Sequence, residues 1–276
     1  MNSDFTLALV GAGNMGGAML GGWLAEGLAP ERITVVDPSP PPAMAELISQ
    51  TSIRHAGEAI ADFAPDVMVL AVKPQIMGAV LPTIAPMMGS QTVAVSVAAG
   101  TTIAALEAGL GGGTGGEAPA VVRAMPNTPA LVRRGITAAC PNRFVTARQR
   151  EIVDGLLRAV GKVAWVEDEG LIDAVTAVSG SGPAYVFHLA ECMAQAGVAA
   201  GLPAELAMEL ARETVSGAGE LMVRSSETPA KLRENVTSPN GTTAAALSVL
   251  MGEDAMAKLI ARAIAAAKMR SEELSG

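Results

Sequence analysis

Two short stretches have the residue types and spacing to bind anions through backbone groups. GAGNMG (11–16) follows the apolar run FTLALV and opens the helix-like run NMGGAMLGGWLAEGL. In that setting Gly11 permits a tight turn. Gly13 lets the backbone approach a pyrophosphate, and Gly16 lets helix and strand pack closely. Ala12, Asn14 and Met15 complete the loop. Asp37 ends the next apolar run, RITVVD, at the distance where an acidic residue accepts hydrogen bonds from ribose hydroxyls and repels a 2′-phosphate. The neighbouring Pro38, Ser39 and Pro40 supply no arginine for that phosphate, so the pattern leans toward NADH over NADPH. The second stretch, SPNGTT (238–243), is a Pro-Asn-Gly turn handing over to the helix former AAALSVL. A helix that starts this way presents free N–H groups at its positive end, a place for a carboxylate or a phosphate. A third stretch, AVKP (71–74), closes a later apolar run, and Ala71, Val72, Lys73 and Pro74 read as a wall beside the ribose and nicotinamide end.

Other catalytic sets are missing. Histidine occurs twice, at His55 and His188, with no Ser–His–Asp or Cys–His grouping and no metal-ligand spacing, so no metal is expected. His188 lies in an apolar helical run and reads as a packing or interface residue. Oxidising an alcohol calls for a base to take the hydroxyl proton, whereas a protonated imine already carries its own. Histidine scarcity and the lack of an obvious lysine base lean toward C=N reduction.

Several elements must position these residues. FTLALV, RITVVD, DVMVLAVK (66–73), QTVAVSV (91–97) and PAVVRAM (119–125) read as strands, with helical segments between most of them; GITAAC, ARQREIVDGLLRAVG and KVAWV (135–166) read as the last units. That is βαβ order, an α/β fold with a doubly wound, Rossmann-type parallel sheet over residues 1–166. Beyond Val166 only helical runs remain, so residues 167–276 are expected to form an all-helical second domain. Its helices are apolar over much of their surface, as in AYVFHLAECMAQAGVAA, which suggests a dimer interface. GLGGGTGGEAP (109–119) precedes a strand rather than a helix and reads as a flexible turn.

Composition narrows the classes further. Half of the 276 residues are hydrophobic, 3% are aromatic, and the formal net charge is −8, which argues against nucleic acid as a partner. Pro74 to Leu106 carries no charge, but Pro82, Pro86, Gly89 and Gly100 cut it into strand- and helix-sized pieces, so no membrane span is expected. MNSDF lacks a secretion-signal pattern, and Cys140 and Cys192 form no pair motif. Both point to a reducing, cytoplasmic setting.

RAMPNTPALV (123–132), VSGSGPAYVF (178–187) and NVTSPNGTT (235–243), in this order behind GAGNMG and AVKP, make the chain resemble the pyrroline-5-carboxylate reductases over nearly its whole length. The resemblance implies an NAD(P)H-dependent oxidoreductase acting on a CH–NH bond, reducing 1-pyrroline-5-carboxylate to L-proline with NADPH or NADH in the last step of proline biosynthesis. It implies a homodimer through the helical domain and larger rings such as decamers. It places the substrate carboxylate on Gly241, Thr242 and Thr243, with Asn235 and Ser238 nearby and Thr243 in a catalytic contact. Glu169 would be a second catalytic group facing the imine nitrogen. Ser179, Gly180 and Gly182 would approach the ring, and Ala98 and Asn127 would join Gly11–Gly16, Asp37, Ser39 and Ala71–Pro74 on the cofactor. Two departures stand out: Asn240 where the family usually has Gly, and Glu58 where it often has Asn. Two other readings remain open, a related β-hydroxyacid dehydrogenase and a non-catalytic dinucleotide sensor. The first would place a lysine on the helix 183–200, which has none.

Overall fold

A computed structural model describes residues 4–111 and 118–275. The centre of the glycine-rich patch 109–119, read above as a flexible turn, lies outside the described residues. By contacts the chain divides into two compact units. The first holds residues up to 180 together with those from 267 onward, and the second is Ser181–Ala266.

The first unit is built on an eight-stranded sheet in the order β3-β2-β1-β4-β5-β6-β7-β8. Its strands are β1 (Leu7–Val10), β2 (Ile33–Val36), β3 (Arg54–Ala56), β4 (Val67–Leu70), β5 (Val93–Ser96), β6 (Ala120–Met125), β7 (Gly135–Pro141) and β8 (Gly161–Trp165). Continuous apolar runs form strands here because both faces are covered. Leu7, Leu9, Val67, Val69, Val93 and Val95 enter one core cluster, while the alternate residues Ala8, Val10, Met68, Leu70 and Ala94 enter another. Helices α1 (Asn14–Ala25) and α5 (Ala147–Arg158) contribute Trp23, Leu156 and Leu157 to the first core. Helices α3 (Pro74–Ile84) and α4 (Ile103–Leu110) contribute Met77, Leu81 and Leu106 to the second. Trp23 is fully buried and its indole N–H donates to Leu156 O at 2.9 Å, so truncating it to Ala would cost about 3–5 kcal/mol. Helix α2 (Pro42–Ser49) lies between β2 and β3.

Two features depart from the sequence reading. β3, the short polar strand RHA, was not anticipated. β7 runs antiparallel to β6, pairing Arg123 with Cys140 and Met125 with Ala138, while the other strand pairs of the sheet are parallel. The step from β6 to β7 is a short turn, 126–134, too short for the crossover helix a parallel pair needs.

After β8 come α6 (Leu171–Val175), a π-helical turn over Thr176–Gly180, α7 (Gly182–Ala199), α8 (Ala204–Arg224), α9 (Pro229–Asn235), α10 (Thr242–Leu250) and α11 (Met256–Ser275). Within the second unit α7 and α8 pack through small residues. A Cβ added to Gly197 would sit 3.2 Å from the Ala207 Cβ, and Ala194, Ala207 and Ala211 are buried. α11 starts in the second unit and ends in the first. The charge-free run 74–106 becomes α3, β5 and the start of α4, and among the described residues no helix is long and apolar enough to cross a membrane.

Candidate active site

The sheet order reverses direction between β1 and β4, the crevice where open α/β sheets bind their ligands. GAGNMG fills the β1–α1 turn there. Gly11 has φ +91°, and a Cβ on it would come within 2.9 Å of the Ala71 carbonyl. At Gly16 a Cβ would lie 2.2 Å from Gly11 O, so strand and helix could not pack as they do. Around Gly13 nothing lies within 4 Å, and α1 begins with no side-chain cap. The loop therefore offers an open backbone cradle at a helix N-terminus, which fits a dinucleotide pyrophosphate.

Asp37 sits beside this cradle and is already engaged. Its Oδ2 accepts from the Ala12 N–H at 2.7 Å, and its Oδ1 from the Ser39 N–H at 2.8 Å. The carboxylate thus fixes the glycine loop and the turn after β2, with lone pairs left for ribose hydroxyls. A cavity of about 550 Å³ opens next to it, lined in part by Gly11, Asp37, Pro38, Gly57, Glu58 and Val72. Two acidic side chains and no lysine or arginine line that cavity. A larger cavity of about 650 Å³, around Phe5 and Asp154, opens at the amino end of β1, away from the glycine loop. Lys73 is the exposed residue preceding α3, and Pro74 is that helix's first residue.

Further along the carboxyl edge, Ala98 is buried just after β5. Asn127 follows β6 and is also buried; its Oδ1 accepts from the Ile136 N–H at 3.0 Å. Glu169 precedes α6. Its Oε1 accepts from Arg123 Nη1 at 2.8 Å and from the Ile103 N–H at 2.8 Å. Sequence reasoning missed Arg123, its partners Asp173 and Ser275, and Ser271, which donates to Asp173. A signal existed: Arg123 is the only charge inside the otherwise apolar strand AVVRAM. Nearby, burial pushes the Cys140 thiol up, and the negative charge of Glu169 pushes it further.

The π-helical turn Thr176–Gly180 ends on the first two residues of the SGSG motif. Ser179 Oγ donates to Val175 O at 3.2 Å, and a Cβ on Gly180 would lie 2.6 Å from Met125 Cε. Such wide turns recur at functional sites because they redirect backbone groups. Gly182 has open space around it and begins α7.

The second unit holds the other half of the expected residues. Asn235 ends α9. The Gly241 N–H donates to Ser238 O at 3.1 Å, closing the turn. Asn240 takes the left-handed conformation, φ +57°, which explains how Asn substitutes for Gly there. A Cβ on Gly241 would collide with Ser238 Oγ at 2.4 Å. α10 then starts at Thr242 with no side-chain cap, so its first-turn N–H groups have no intrahelical partner. His188 is exposed on α7, with Nδ1 3.0 Å from Glu191 and Nε2 3.5 Å from Cys192 Sγ. Among the described residues no His, Cys, Asp and Glu group could hold a metal.

Comparison with known proteins gives two family matches. Residues 169–274 match the pyrroline-5-carboxylate reductase dimerisation family, and residues 6–100 match the coenzyme F420-dependent NADP oxidoreductase family. The pyrroline-5-carboxylate reductase of Pseudomonas aeruginosa is 44% identical over 98% of this chain and 96% of its own. That of Escherichia coli is 39% identical over 98% of both. Among solved structures, the Coxiella burnetii pyrroline-5-carboxylate reductase superposes with a TM-score of 0.90 at 34% identity over the full length of both chains. The Plasmodium falciparum enzyme, determined with NADP bound, superposes with a TM-score of 0.81 at 29% identity over 99% of both.

Proposed function

The chain belongs to the pyrroline-5-carboxylate reductase family, and from that premise we propose that it reduces the C=N bond of 1-pyrroline-5-carboxylate to L-proline with a nicotinamide dinucleotide. The observation that carries the substrate reading is the bare N-terminus of α10 behind the Ser238–Gly241 turn. Its N–H groups and the Thr243 hydroxyl suit a carboxylate, with the helix dipole adding attraction. Gly241, where a side chain would have to displace the Ser238 hydroxyl, lets that carboxylate come close to backbone, and Asn235 and Ser238 frame it.

Gly11–Gly16 would hold the pyrophosphate, and Asp37 and Ser39 the adenosine ribose. Ala71–Pro74, Ala98 and Asn127 would line the rest of the dinucleotide. When bound, the reduced nicotinamide supplies the hydride. The chain's own part is orientation and charge. Thr242 and Thr243 fix the carboxylate and hence the ring, and Ser179, Gly180 and Gly182 give the ring close backbone. Glu169 has Oε1 taken by Arg123 and Ile103, so its contribution is negative charge that favours the protonated imine, with Oε2 as the remaining acceptor. Because the iminium brings its own proton, no poised acid is needed, and positioning supplies most of the acceleration.

NADH is placed ahead of NADPH, because Asp37 and Glu58 present negative charge with no cation in their cavity. A homodimer through the helical segment, closing into a decamer, and a cytoplasmic location complete the proposal.

The test follows loss of reduced-nicotinamide absorbance with 1-pyrroline-5-carboxylate, run with NADH and with NADPH. Turnover yielding proline supports the reading, and a higher kcat/KM with NADH supports the role given to Asp37 and Glu58. Tight dinucleotide binding without turnover would leave a sensor.

A further inference from the structure

The first unit contains a charge cluster around the buried Arg123, of which the proposed chemistry uses only Glu169. Arg123, in the middle of β6, is 3% exposed. Its Nη1 meets Glu169 Oε1 at 2.8 Å, and its Nη2 lies 3.9 Å from Asp173 Oδ1 and 3.3 Å from Ser275 Oγ. Asp173 Oδ1 in turn accepts from Ser271 Oγ at 2.6 Å and from Ser275 Oγ at 3.4 Å. One guanidinium therefore joins three pieces of chain far apart in sequence: β6, the start of α6 and the last turn of α11.

This cluster reaches the loops at the sheet's carboxyl edge. The same Glu169 oxygen that binds Arg123 also accepts from the Ile103 N–H, the first residue of α4, and so pins the end of the loop after β5. Three residues before Ile103, Gly100 sits at φ +72° with room for no side chain. A Cβ there would lie 2.9 Å from Leu274 O. The last turn of α11 thus presses on the 98–103 loop while its serines hold Asp173. Arg123 itself is four residues before Asn127 in the segment leading to MPNTP.

We propose that Arg123 and the C-terminal turn Ser271–Ser275 act together as a positioning device. They clamp the loop carrying Ala98 and the segment carrying Asn127 in the arrangement the nicotinamide end requires. The inference rests on the reading of Ala98 and Asn127 as dinucleotide neighbours. A buried guanidinium shared by two carboxylates suits the task. Its fork sets direction as well as charge, and removing it leaves Glu169 and Asp173 without their shared cation. None of the clamping groups needs to touch the substrate.

The test compares wild type with Ser271→Ala/Ser275→Ala, with Arg123→Lys, and with a chain ending at Arg270. Amide exchange over residues 98–103 and at Asn127 is read on the dinucleotide-free proteins, and kcat and both KM values are read well below each protein's melting temperature. The clamp predicts faster exchange over residues 98–103 and at Asn127, and kcat reduced roughly tenfold, in the double serine variant. Dinucleotide affinity, set mainly by the glycine loop, should stay within about twofold. Arg123→Lys, which keeps the charge but loses the fork, should lower kcat at least as far as the double serine variant does. If exchange at 98–103 and at Asn127 and kcat match wild type while only the melting temperature drops, the cluster is structural and the inference is overturned. An inactive wild-type protein would instead overturn the functional reading, while the exchange measurement would still decide the clamp.

Discussion

Thr243 and Asp37 carry most of the assignment at the level of single residues. A hydrogen bond to a charged group is worth about 1.5–3 kcal/mol, so Thr243→Ala should lower kcat/KM for 1-pyrroline-5-carboxylate roughly 10- to 100-fold, and Thr243→Ser should recover much of it. Steady-state kinetics on the two variants check this. Under the proposed cofactor placement, Asp37→Ser should raise the NADPH-to-NADH ratio of kcat/KM about tenfold or more, since it removes the carboxylate assigned to the ribose. An unchanged ratio would place the discrimination elsewhere. Burial raises the Cys140 thiol, so its reactive thiolate is scarce at neutral pH. Alkylation followed by peptide mapping should leave Cys140 unmodified in native protein and label it after unfolding. Legible at this scale were the helix starts that glycine or proline announces: GAGNMG before α1, AVKP before α3 and SPNGTT before α10. Asp37 was legible as the acidic residue that ends the second strand run, but not as the acceptor that holds the Ala12 N–H. That role depends on two loops meeting, which no local pattern encodes. Arg123 was visible as an odd charge in a strand, yet its partners lie up to 152 residues away.

Turns and helix ends are where the chain enforces these positions. Asn240 already occupies the left-handed region, so Asn240→Gly should leave stability within about 1 kcal/mol, whereas Asn240→Val should cost about 1–2 kcal/mol and weaken substrate binding. Chemical denaturation and substrate KM read the two effects separately. Another element-scale prediction concerns pH. Burial alone would raise Asp154 on α5, but hydrogen bonds from Arg158 and the Trp165 indole hold it below the usual carboxylate value. A carboxyl depressed in the folded state stabilises the fold above its unfolded pKa, and that contribution fades as pH falls from there through the lower folded value. Asp154→Asn should therefore be less stable than wild type at neutral pH, with the difference shrinking in acid, as melting temperatures against pH would show. Most elements were readable from apolar runs. β3 was not, because Arg54, His55 and Ala56 form an edge strand held by β2 rather than by its own composition. The direction of β7 was also hidden, since an apolar strand reads alike in both directions. The π turn at Thr176–Gly180 left no periodicity to find.

At the scale of the whole molecule, the sheet buries its apolar residues on both faces and the helical unit does not. Phe187, Val249 and Leu259 are each more than 60% exposed, and α9 and α10 contain no buried residue. A single copy leaves that surface in water. The match of residues 169–274 to a dimerisation family accounts for it. Light scattering on the eluted protein should give a dimer or a multiple of dimers, and Phe187→Asp should shift it toward monomer with loss of stability. A monomeric wild type would contradict this. The two-part organisation and the apolar helices were evident from sequence. The return of the last turn of α11 to the sheet unit was not, because Ser271 and Ser275 look like ordinary surface serines until Asp173 and Arg123 are seen beside them.

The central claim is hydride transfer to an imine carbon with the substrate held by its carboxylate. It is tested most directly by supplying reduced dinucleotide deuterated at the transferable position of the nicotinamide, together with 1-pyrroline-5-carboxylate, and locating the label in the product. The account predicts proline carrying one deuterium at C5, formed by wild type and formed far more slowly by Thr243→Ala. Proline without label, or oxidation of the dinucleotide with no proline formed, would contradict it.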